Sequence, residues 1–233
     1  MKPTTRKKIA IFDIDGTIYR SSLLFRTFDI LIARKMFKRK VYWQALKIRN
    51  SYFNRKTDYL KYASKLVELI KENICGISQK EVLKVSRELV RSQKSIYFKY
   101  TRNLIRHLRQ EYILIGVSGS LTENLTELNK YLKFDYVFGT QFEVGGNGHY
   151  TGTILSEPAK DKEIFIKEFI DNNQLLLKDS IAVGDTMNDY CVLKMVENPI
   201  VFNPDSELYH CAKKNNWKII VERKNVVYEI NKI

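Results

Sequence analysis

Two carboxylates stand one residue apart at the end of a short apolar run. Asp13 and Asp15 close the segment IAIFDIDGT, residues 9–17. A run of β-branched and aromatic residues that stops at a glycine is typical of a central parallel strand covered on both faces. Parallel sheets hold their ligands at the carboxyl ends of their strands, and alternate side chains of a strand point the same way. Two carboxylates at such an end suit Mg²⁺, so the segment predicts a magnesium site.

A second apolar run, residues 180–183, also ends in acid. Asp185 and Asp189 lie in the sequence GDTMND that follows it, residues 184–189. Aspartate is common in solvated turns, so either acidic strand end alone has a structural explanation. The ends of neighbouring parallel strands meet in one crevice, and two acidic ends in one sheet therefore indicate a shared site.

A hydroxyl turn and a lysine complete the set of candidate residues. Ser118 and Gly119 follow the apolar run 112–117 and precede a helical pattern, where free backbone N–H groups and the helix dipole favour an anion. Lys160 and Lys162 stand at the start of a later helix, a position that favours a cation only beside an anion. The local motif Glu-Pro-Ala-Lys favours Lys160, whereas the helix register favours Lys162, with apolar residues at +3, +4 and +7. We favour Lys162.

The remaining periodicity defines the fold. Apolar residues recur at helical spacing from about residue 20 to 95, and a long helix is predicted from Gln79 to about Gln110. Strands and helices then alternate, with a strand at 136–139, a β-hairpin at 141–154 and strands at 180–183, 200–202 and 217–221. This order predicts an α/β doubly wound parallel sheet with an inserted all-helical cap and a small β-hairpin. The expected domains are a core of residues 1–19 and 96–233 and a cap of residues 20–95.

Four motifs in this order resemble the signatures of the haloacid dehalogenase (HAD) superfamily. They are DIDGT at 13–17, VSG at 117–119, the lysine region at 157–162 and GDTMND at 184–189. The helical insert after the first motif is similar to the cap of the phosphoserine-phosphatase-like branch, subfamily IB. The resemblance implies a Rossmann-like core and a phosphoric monoester hydrolase, a HAD-type phosphatase.

The resemblance also implies a role for each candidate residue. Asp13 would attack phosphorus and become an aspartyl phosphate, and Asp15 would act as general acid and then as general base. Mg²⁺ would be held by Asp13, the Asp15 carbonyl and Asp185, with Asp189 supporting these ligands from behind. The phosphoryl oxygens would be bound by Ser118, the Gly119 N–H and the lysine at 162 or 160.

The expected substrate is a small phosphorylated metabolite. Phosphoserine phosphatases of the resembled branch carry a glutamate shortly after the first motif, but residues 19–22 here read Tyr-Arg-Ser-Ser. Ser120 also replaces a glycine of the second motif. Both departures disfavour phosphoserine, and Arg20 together with the basic cap suggests an anionic or bulkier leaving group. Phosphoserine phosphatase activity proper and phosphotransfer to an alcohol remain alternatives.

Composition restricts the remaining function classes. The 233 residues carry 40 Lys+Arg against 26 Asp+Glu, a formal charge of +14. The basic residues are spread along the chain at helical spacing, which favours solvated helix faces over a nucleic-acid stripe, so a polyanion-binding protein is the remote alternative. Three widely spaced cysteines indicate reduced thiols. No apolar run approaches the ~18 residues of a membrane span, so we expect a cytoplasmic protein with no membrane partner.

Overall fold

The computed structural model describes residues 8–92, 96–224 and 226–230. It contains one eight-stranded sheet in the order β4-β3-β2-β1-β5-β6-β7-β8. The strands are β1 (Lys8–Asp13), β2 (Tyr112–Leu121), β3 (Tyr136–Val144), β4 (Tyr150–Ser156), β5 (Leu176–Gly184), β6 (Asn198–Phe202), β7 (Lys218–Arg223) and β8 (Val226–Ile230). The helices are α1 (Leu23–Ala33), α2 (Arg39–Phe53), α3 (Tyr59–Asn73), α4 (Gln79–Ser92), α5 (Lys99–Leu108), α6 (Thr122–Leu132), α7 (Lys162–Asn172), α8 (Tyr190–Met195) and α9 (Ser206–Asn215). The predicted α/β class is confirmed.

Strand β1 lies at the centre of the sheet, between β2 and β5, and runs parallel to both. Its residues Ile9–Phe12 are at most 2% exposed. Ala10 and Phe12 belong to the hydrophobic cluster on one face of the sheet, and Ile9 and Ile11 belong to the cluster on the other. Burial on both faces explains the unbroken apolar run. Because β1, β2 and β5 are parallel, the motifs that follow them meet at one edge.

Three details differ from the sequence-based expectation. The sheet is mixed, because β4 pairs antiparallel with β3 and β8 with β7. The strand at 136–139 and the first hairpin strand form one continuous strand, β3. The long predicted helix from Gln79 is two helices, α4 and α5. Just before α5, Tyr97 forms an antiparallel bridge with Tyr19, and the Phe98 N–H donates to the Ile18 carbonyl. The backbone at these two residues is therefore extended and not helical.

Helices α1–α4 occupy most of the described part of residues 20–92. Their buried side chains form a cluster that also includes Leu121, Phe142 and Tyr150 of the sheet. Helix α1 packs against β2 and α4, helix α4 packs against α6, and helix α2 packs against α3. The division into a cap of residues 20–95 and a core stays a prediction. No helix among the described residues is both long and apolar enough to cross a membrane.

Candidate active site

The lysine that begins α7 lies among carboxylates. The Lys162 ammonium donates to Asp13 Oδ1 at 2.9 Å and to Asp189 Oδ1 at 2.6 Å, and Lys162 is only 5% exposed. Lys160, two residues earlier, is exposed on the preceding turn and borders the same cavity. The helix register therefore places Lys162, and not Lys160, in contact with the β1 carboxylate.

Asp189 organises the loop after β5 through both of its oxygens. Oδ1 accepts from Lys162, while Oδ2 accepts from the backbone N–H of Asp185 at 3.1 Å and of Thr186 at 3.2 Å. Space for this carboxylate exists because residue 184 is glycine, since a Cβ on Gly184 would lie 2.4 Å from the Asp189 Cβ. Asp189 thereby fixes Lys162 and the Asp185 loop together.

Gly16 allows the two acidic strand ends to approach each other. Its φ is +91°, a conformation that favours glycine, and a Cβ there would lie 2.0 Å from Asp185 Oδ2. Thr17 Oγ1 donates to Asp185 Oδ1 at 3.3 Å. Oxygens of Asp13, Asp185 and Asp189 all lie within 4.8 Å of one another. The predicted convergence of the strand ends is therefore present in the structure.

Asp15 is held by three hydrogen-bond donors. Its Oδ2 accepts from the hydroxyls of Ser118 and Ser120, each at 2.6 Å, and its Oδ1 accepts from the Leu23 N–H at 2.7 Å. Ser120 Oγ in turn accepts from the Leu24 N–H at 2.9 Å. The first amides of α1 are thus satisfied by Asp15 and Ser120, which meets the need of a helix N-terminus for acceptors. Ser118 and Ser120 are fully buried.

Burial dominates the electrostatics of these carboxylates. Desolvation, opposed by Lys162 and reinforced by Asp189 and Asp15, raises the pKa of Asp13 to about 8. Desolvation also raises the pKa of Asp185, with Asp13 and Asp189 adding to the shift. Burial lowers the pKa of Lys162, but the charges of Asp13 and Asp189 outweigh it, so the net shift is upward. The site therefore has more carboxyl groups than its one buried lysine can neutralise, and burial favours the protonated forms of Asp13 and Asp185.

A cavity of about 470 Å³ opens over these groups. Asp13, Asp15, Asp185, Lys162 and the exposed Gly119 lie at its base. The wall comes mainly from one face of α3, with Phe25 of α1 and Glu157 adding to it; the α3 residues are Tyr59, Leu60, Ala63, Ser64, Val67, Glu68 and Lys71. These α3 residues recur at helical spacing, so the helix presents a continuous stripe to the cavity.

Two residues named in the sequence analysis do not line the cavity. Arg20 does not line the cavity, because its guanidinium pairs with Glu222 at 2.5 Å and lies 4.8 Å from the Phe98 ring centroid. Arg20 therefore gives no support to the expected anionic or bulkier leaving group, and its partner, about two hundred residues later, could not be identified from the local sequence. Ser118 is also absent from the cavity lining, and its hydroxyl is directed to Asp15.

Sequence reasoning missed two groups of site residues. Ser120 was treated only as a departure from a glycine, although it bonds Asp15 as Ser118 does. The α3 stripe was interpreted as part of a helical pattern, and a slightly different stripe of the same helix, with Leu66 and Leu69, is the buried one. The broad band of apolar residues in α3 was the available signal, since it exceeds what one buried face requires.

Comparison with known proteins adds independent information. A family model described as haloacid dehalogenase-like hydrolase matches residues 10–194. The chain is 23% identical over 227 residues to a histidinol-phosphatase of Neisseria meningitidis, covering 92% of this chain and 98% of that protein. It is 23% identical over 228 residues to a phosphoserine phosphatase of Methanocaldococcus jannaschii, covering 95% of each chain.

Similar folds occur among solved structures. A Bordetella pertussis protein described as of unknown function superposes with a TM-score of 0.72 at 20% identity, covering 92% of this chain and 98% of that one. The family resemblance that the four motifs predicted is confirmed, and so is the predicted class of phosphoric monoester hydrolase.

Proposed function

The chain belongs to the haloacid dehalogenase-like hydrolase family, and from that premise we propose that it is a Mg²⁺-dependent phosphatase that hydrolyses a small phosphomonoester through an aspartyl phosphate on Asp13. The observation that carries the proposal is the position of Asp13. Its carboxylate lies at the base of the cavity, one oxygen is bound by Lys162, and the other, Oδ2, is buried without a hydrogen-bond partner among the described residues.

In the proposed reaction Asp13 Oδ2 attacks phosphorus while the ester oxygen leaves. The Lys162 bond to Oδ1 fixes the carboxylate at the base of the cavity and leaves the other oxygen without a hydrogen-bond partner among the described residues. The resulting acyl phosphate is then hydrolysed by water, and Asp13 is regenerated with release of inorganic phosphate. Splitting the hydrolysis into two displacements is the usual advantage of a covalent intermediate.

Asp15 is the proposed acid and base. Burial raises its pKa, against the opposing hydrogen bonds from Ser118, Ser120 and the Leu23 N–H. A raised pKa suits a carboxyl that must donate a proton to the leaving oxygen and later accept one from water. Asp15 borders the cavity, so its carboxyl is accessible to the ester oxygen.

The donor set fits a Mg²⁺ ion. Three carboxylates, those of Asp13, Asp185 and Asp189, lie close together around one buried lysine. Asp13, Asp185 and the Asp15 carbonyl are the proposed ligands, whereas Asp189 supports them, because both of its oxygens are already engaged. When bound, the ion would neutralise the repulsion between the nucleophile and the phosphoryl oxygens.

Binding of the phosphoryl oxygens is assigned to the Gly119 N–H and to Lys162. Gly119 is exposed at the base of the cavity, where a backbone N–H can reach an anion. The Lys162 ammonium has three donors, of which two are engaged by Asp13 and Asp189. Ser118 stays a predicted ligand, which would require its hydroxyl to turn from Asp15 to the phosphoryl group.

The proposed substrate is a small ester that fills the cavity under α3. The curated relatives are named for phosphoserine and histidinol phosphate, and both of these esters have amine-bearing leaving groups. Ser22, at the position where the resembled branch carries a glutamate, borders the cavity and accepts from the Phe25 N–H at 3.3 Å. If the leaving group bears an amine, a side chain other than that of residue 22 must bind it in this chain.

The decisive experiment is a panel of phosphate esters assayed with Mg²⁺ on the wild-type protein and on Asp13→Asn. We expect phosphate release by the wild type and a loss of at least about a thousandfold in the variant, because an amide cannot form the acyl phosphate. The matched control is Asp171→Asn, an exposed aspartate on α7 outside the cavity. Undiminished turnover by Asp13→Asn would exclude the nucleophile assignment.

A second measurement separates hydrolysis from transfer to an alcohol. Both reactions use the same acyl phosphate and differ only in the acceptor. The products of turnover with added glycerol or ethanol are analysed by phosphorus NMR. Inorganic phosphate as the main product supports the phosphatase, and a phosphorylated alcohol as the main product would replace it by a phosphotransferase.

A further inference from the structure

One segment of the chain is strongly basic and contains no acid. Residues 30–57 include no Asp or Glu, although acids make up 26 of the 233 residues of the whole chain. The nine basic residues of the segment are Arg34, Lys35, Lys38, Arg39, Lys40, Lys47, Arg49, Arg55 and Lys56. The segment therefore carries most of the excess charge of the chain in an eighth of its length, which a general excess of solvated lysines does not explain.

Helix α2, inside this segment, has apolar side chains on two faces. Val41 and Ala45 are buried in the cluster shared with α3. On another face Tyr42 is 45% exposed, Trp43 54% and Phe53 72%. At about 100° per residue, Tyr42 and Phe53 lie within roughly 20° of each other on the helix surface. This second stripe faces solvent, unlike the single apolar stripe of an ordinary surface helix.

Basic side chains flank the exposed stripe. Arg39, Lys40 and Lys47 are exposed on α2, and Arg55 and Lys56 are exposed just after its end. Among the described residues, the structure shows no ion pair for any of these five. We call Tyr42, Trp43, Phe53 and these five cations the α2 face. It joins aromatic rings to unneutralised positive charge.

The α2 face continues toward the mouth of the catalytic cavity. Phe53, Arg55 and Lys56 line a surface depression together with Asp58 and Lys61, which pair with each other at 3.1 Å. Tyr59, two residues before Lys61, is part of the cavity wall. The rings of Tyr52 and Tyr59 lie 6.0 Å apart and connect the two regions. A surface bound to the α2 face would therefore lie near Tyr59 of the cavity wall.

We propose that the α2 face docks onto an anionic lipid bilayer. Tryptophan and tyrosine favour the membrane–water interface, and a helix with aromatic residues flanked by Lys and Arg lies in the plane of that interface. Anionic headgroups attract juxtaposed cations, and no acidic side chain of the segment opposes them. From Tyr42 to Phe53 the stripe extends about 16 Å along the surface of one helix. A single helix surface of this kind has no groove to hold a partner segment, and it fits a flat surface better. The docking is peripheral and so is compatible with the finding on membrane-spanning helices. It departs from the expectation of no membrane partner, which considered only apolar runs long enough to span a bilayer.

The test is co-sedimentation of the full chain with vesicles of phosphatidylcholine alone and of phosphatidylcholine mixed with phosphatidylglycerol. We expect binding to the mixed vesicles and at least tenfold weaker binding to phosphatidylcholine alone. Binding should weaken as salt is raised, because the screening length falls to about 10 Å at 0.1 M. Equal binding to the two vesicle types, or no binding to either, would overturn the proposal.

Two variants locate the contact. Trp43→Ala/Phe53→Ala removes the aromatic rings, and Lys40→Glu/Lys47→Glu reverses two charges. The charge-reversal pair should weaken binding to the mixed vesicles at least tenfold, since one cation near such a surface contributes about fivefold. The aromatic pair should also weaken binding at least tenfold, because it removes the rings that enter the interface. The matched control is Tyr228→Ala/Lys214→Glu, an exposed ring and an exposed lysine elsewhere on the molecule. Variants that bind as the wild type does, or a control that weakens equally, would contradict the assignment.

Folding and competing occupants are tested in the same samples. None of the four substituted α2 residues lines the catalytic cavity, so hydrolysis of a soluble ester should be unchanged and reports an intact fold. The docking proposal and the proposed reaction can therefore fail separately. Light scattering and a labelled RNA oligomer supply the alternatives. Self-association or RNA binding that the α2 variants abolish, in place of vesicle binding, would overturn the bilayer assignment.

Discussion

The base of the cavity and its α3 wall differ in burial and in charge. At the base, Lys162 is 5% exposed and is bound by Asp13 and Asp189, with Asp185 close by. The wall is partly exposed and mixes apolar residues with Glu68 and Lys71 of one helix. The base is assembled from β1, α7 and the loop after β5, so each of its side chains is fixed by contacts from other elements.

The contrast separates reaction chemistry from substrate choice. A buried charge depends on every neighbour, because its desolvation is large and only nearby opposite charges compensate for it. The charge of a partly exposed side chain is solvated by water, so replacing that side chain has little effect on its neighbours or on stability. Substitutions at the base should therefore affect rate and stability together, whereas substitutions in the wall should affect the affinity for particular esters.

The largest effect is expected for Lys162→Ala. The variant leaves Asp13 and Asp189 without their shared cation, which we expect to destabilise the protein by about 3–5 kcal/mol. Turnover should fall by at least about a hundredfold, because the nucleophile loses its positioning bond. Lys160→Ala is the matched control, since Lys160 is exposed and should change turnover less than about threefold. Chemical denaturation and a phosphate-release assay measure both effects, and equal losses in the two variants would contradict the distinction.

Next in size is the effect of Asp13→Asn on the stability of the metal-free protein. Removal of one of several clustered carboxylates leaves Lys162 paired with Asp189, so we expect stabilisation on the order of 2 kcal/mol at neutral pH. A carboxyl whose pKa rises from 3.8 to about 8 on folding holds its proton more tightly in the folded state. The Asp13 carboxyl therefore contributes to stability at low pH, and this contribution is lost as the pH rises from 3.8 to about 8. Thermal melts with a chelator should show a weaker decline with pH in Asp13→Asn.

Added Mg²⁺ tests the same charge imbalance. The ion should raise the melting temperature of the wild type at pH 7 and should have a smaller effect on Asp13→Asn and Asp185→Asn, because each variant lacks a proposed ligand. Asp171→Asn should respond as the wild type does. An identical response in all four proteins would place the metal elsewhere.

Ser120→Ala is expected to slow turnover about tenfold, or ~1.4 kcal/mol, without changing KM. The variant removes one donor to Asp15 and the acceptor of the Leu24 N–H. Since the lost hydrogen bond favours the charged carboxylate, the apparent pKa of Asp15 in the rate–pH profile should move upward. Ser86→Ala is the matched control, because Ser86 is an equally buried hydroxyl that bonds Asn124 away from the cavity. An equal shift of the apparent pKa in the rate–pH profiles of both variants would mean that Ser120 stabilises the fold and does not tune Asp15.

The two regions also differ in how far the sequence predicted them. Asp13 ends β1 and Asp185 follows β5, two adjacent parallel strands whose carboxyl ends lie at the same edge of the sheet, and Lys162 begins the helix that precedes β5. The local sequence could not reveal Arg20 pairing with Glu222, because that contact depends on how β7 packs beside the first motif. Likewise, the pattern of α3 predicts a helix but not which of two adjacent apolar stripes faces the cavity. Strand β8, which pairs antiparallel with β7, was not predicted from the sequence.

The smallest expected effect, in the wall, is the most informative about the substrate. Glu68 borders the cavity, and the structure shows no ion pair for it among the described residues. If its carboxylate reads a leaving-group ammonium, Glu68→Gln should raise KM for phosphoserine about threefold, or ~0.7 kcal/mol, the range of an exposed ion pair. KM for glycerol phosphate, which lacks the ammonium, should stay unchanged.

Glu72→Gln supplies the matched control, because Glu72 lies one turn further along α3, is exposed and does not line the cavity. Steady-state kinetics with both esters distinguish the outcomes. Equal changes for the two esters would mean that Glu68 acts on the phosphate or on the helix and not on the leaving group. A KM change confined to the amine-bearing ester would show that α3 supplies the negative charge that this chain lacks at Ser22, shortly after the first motif.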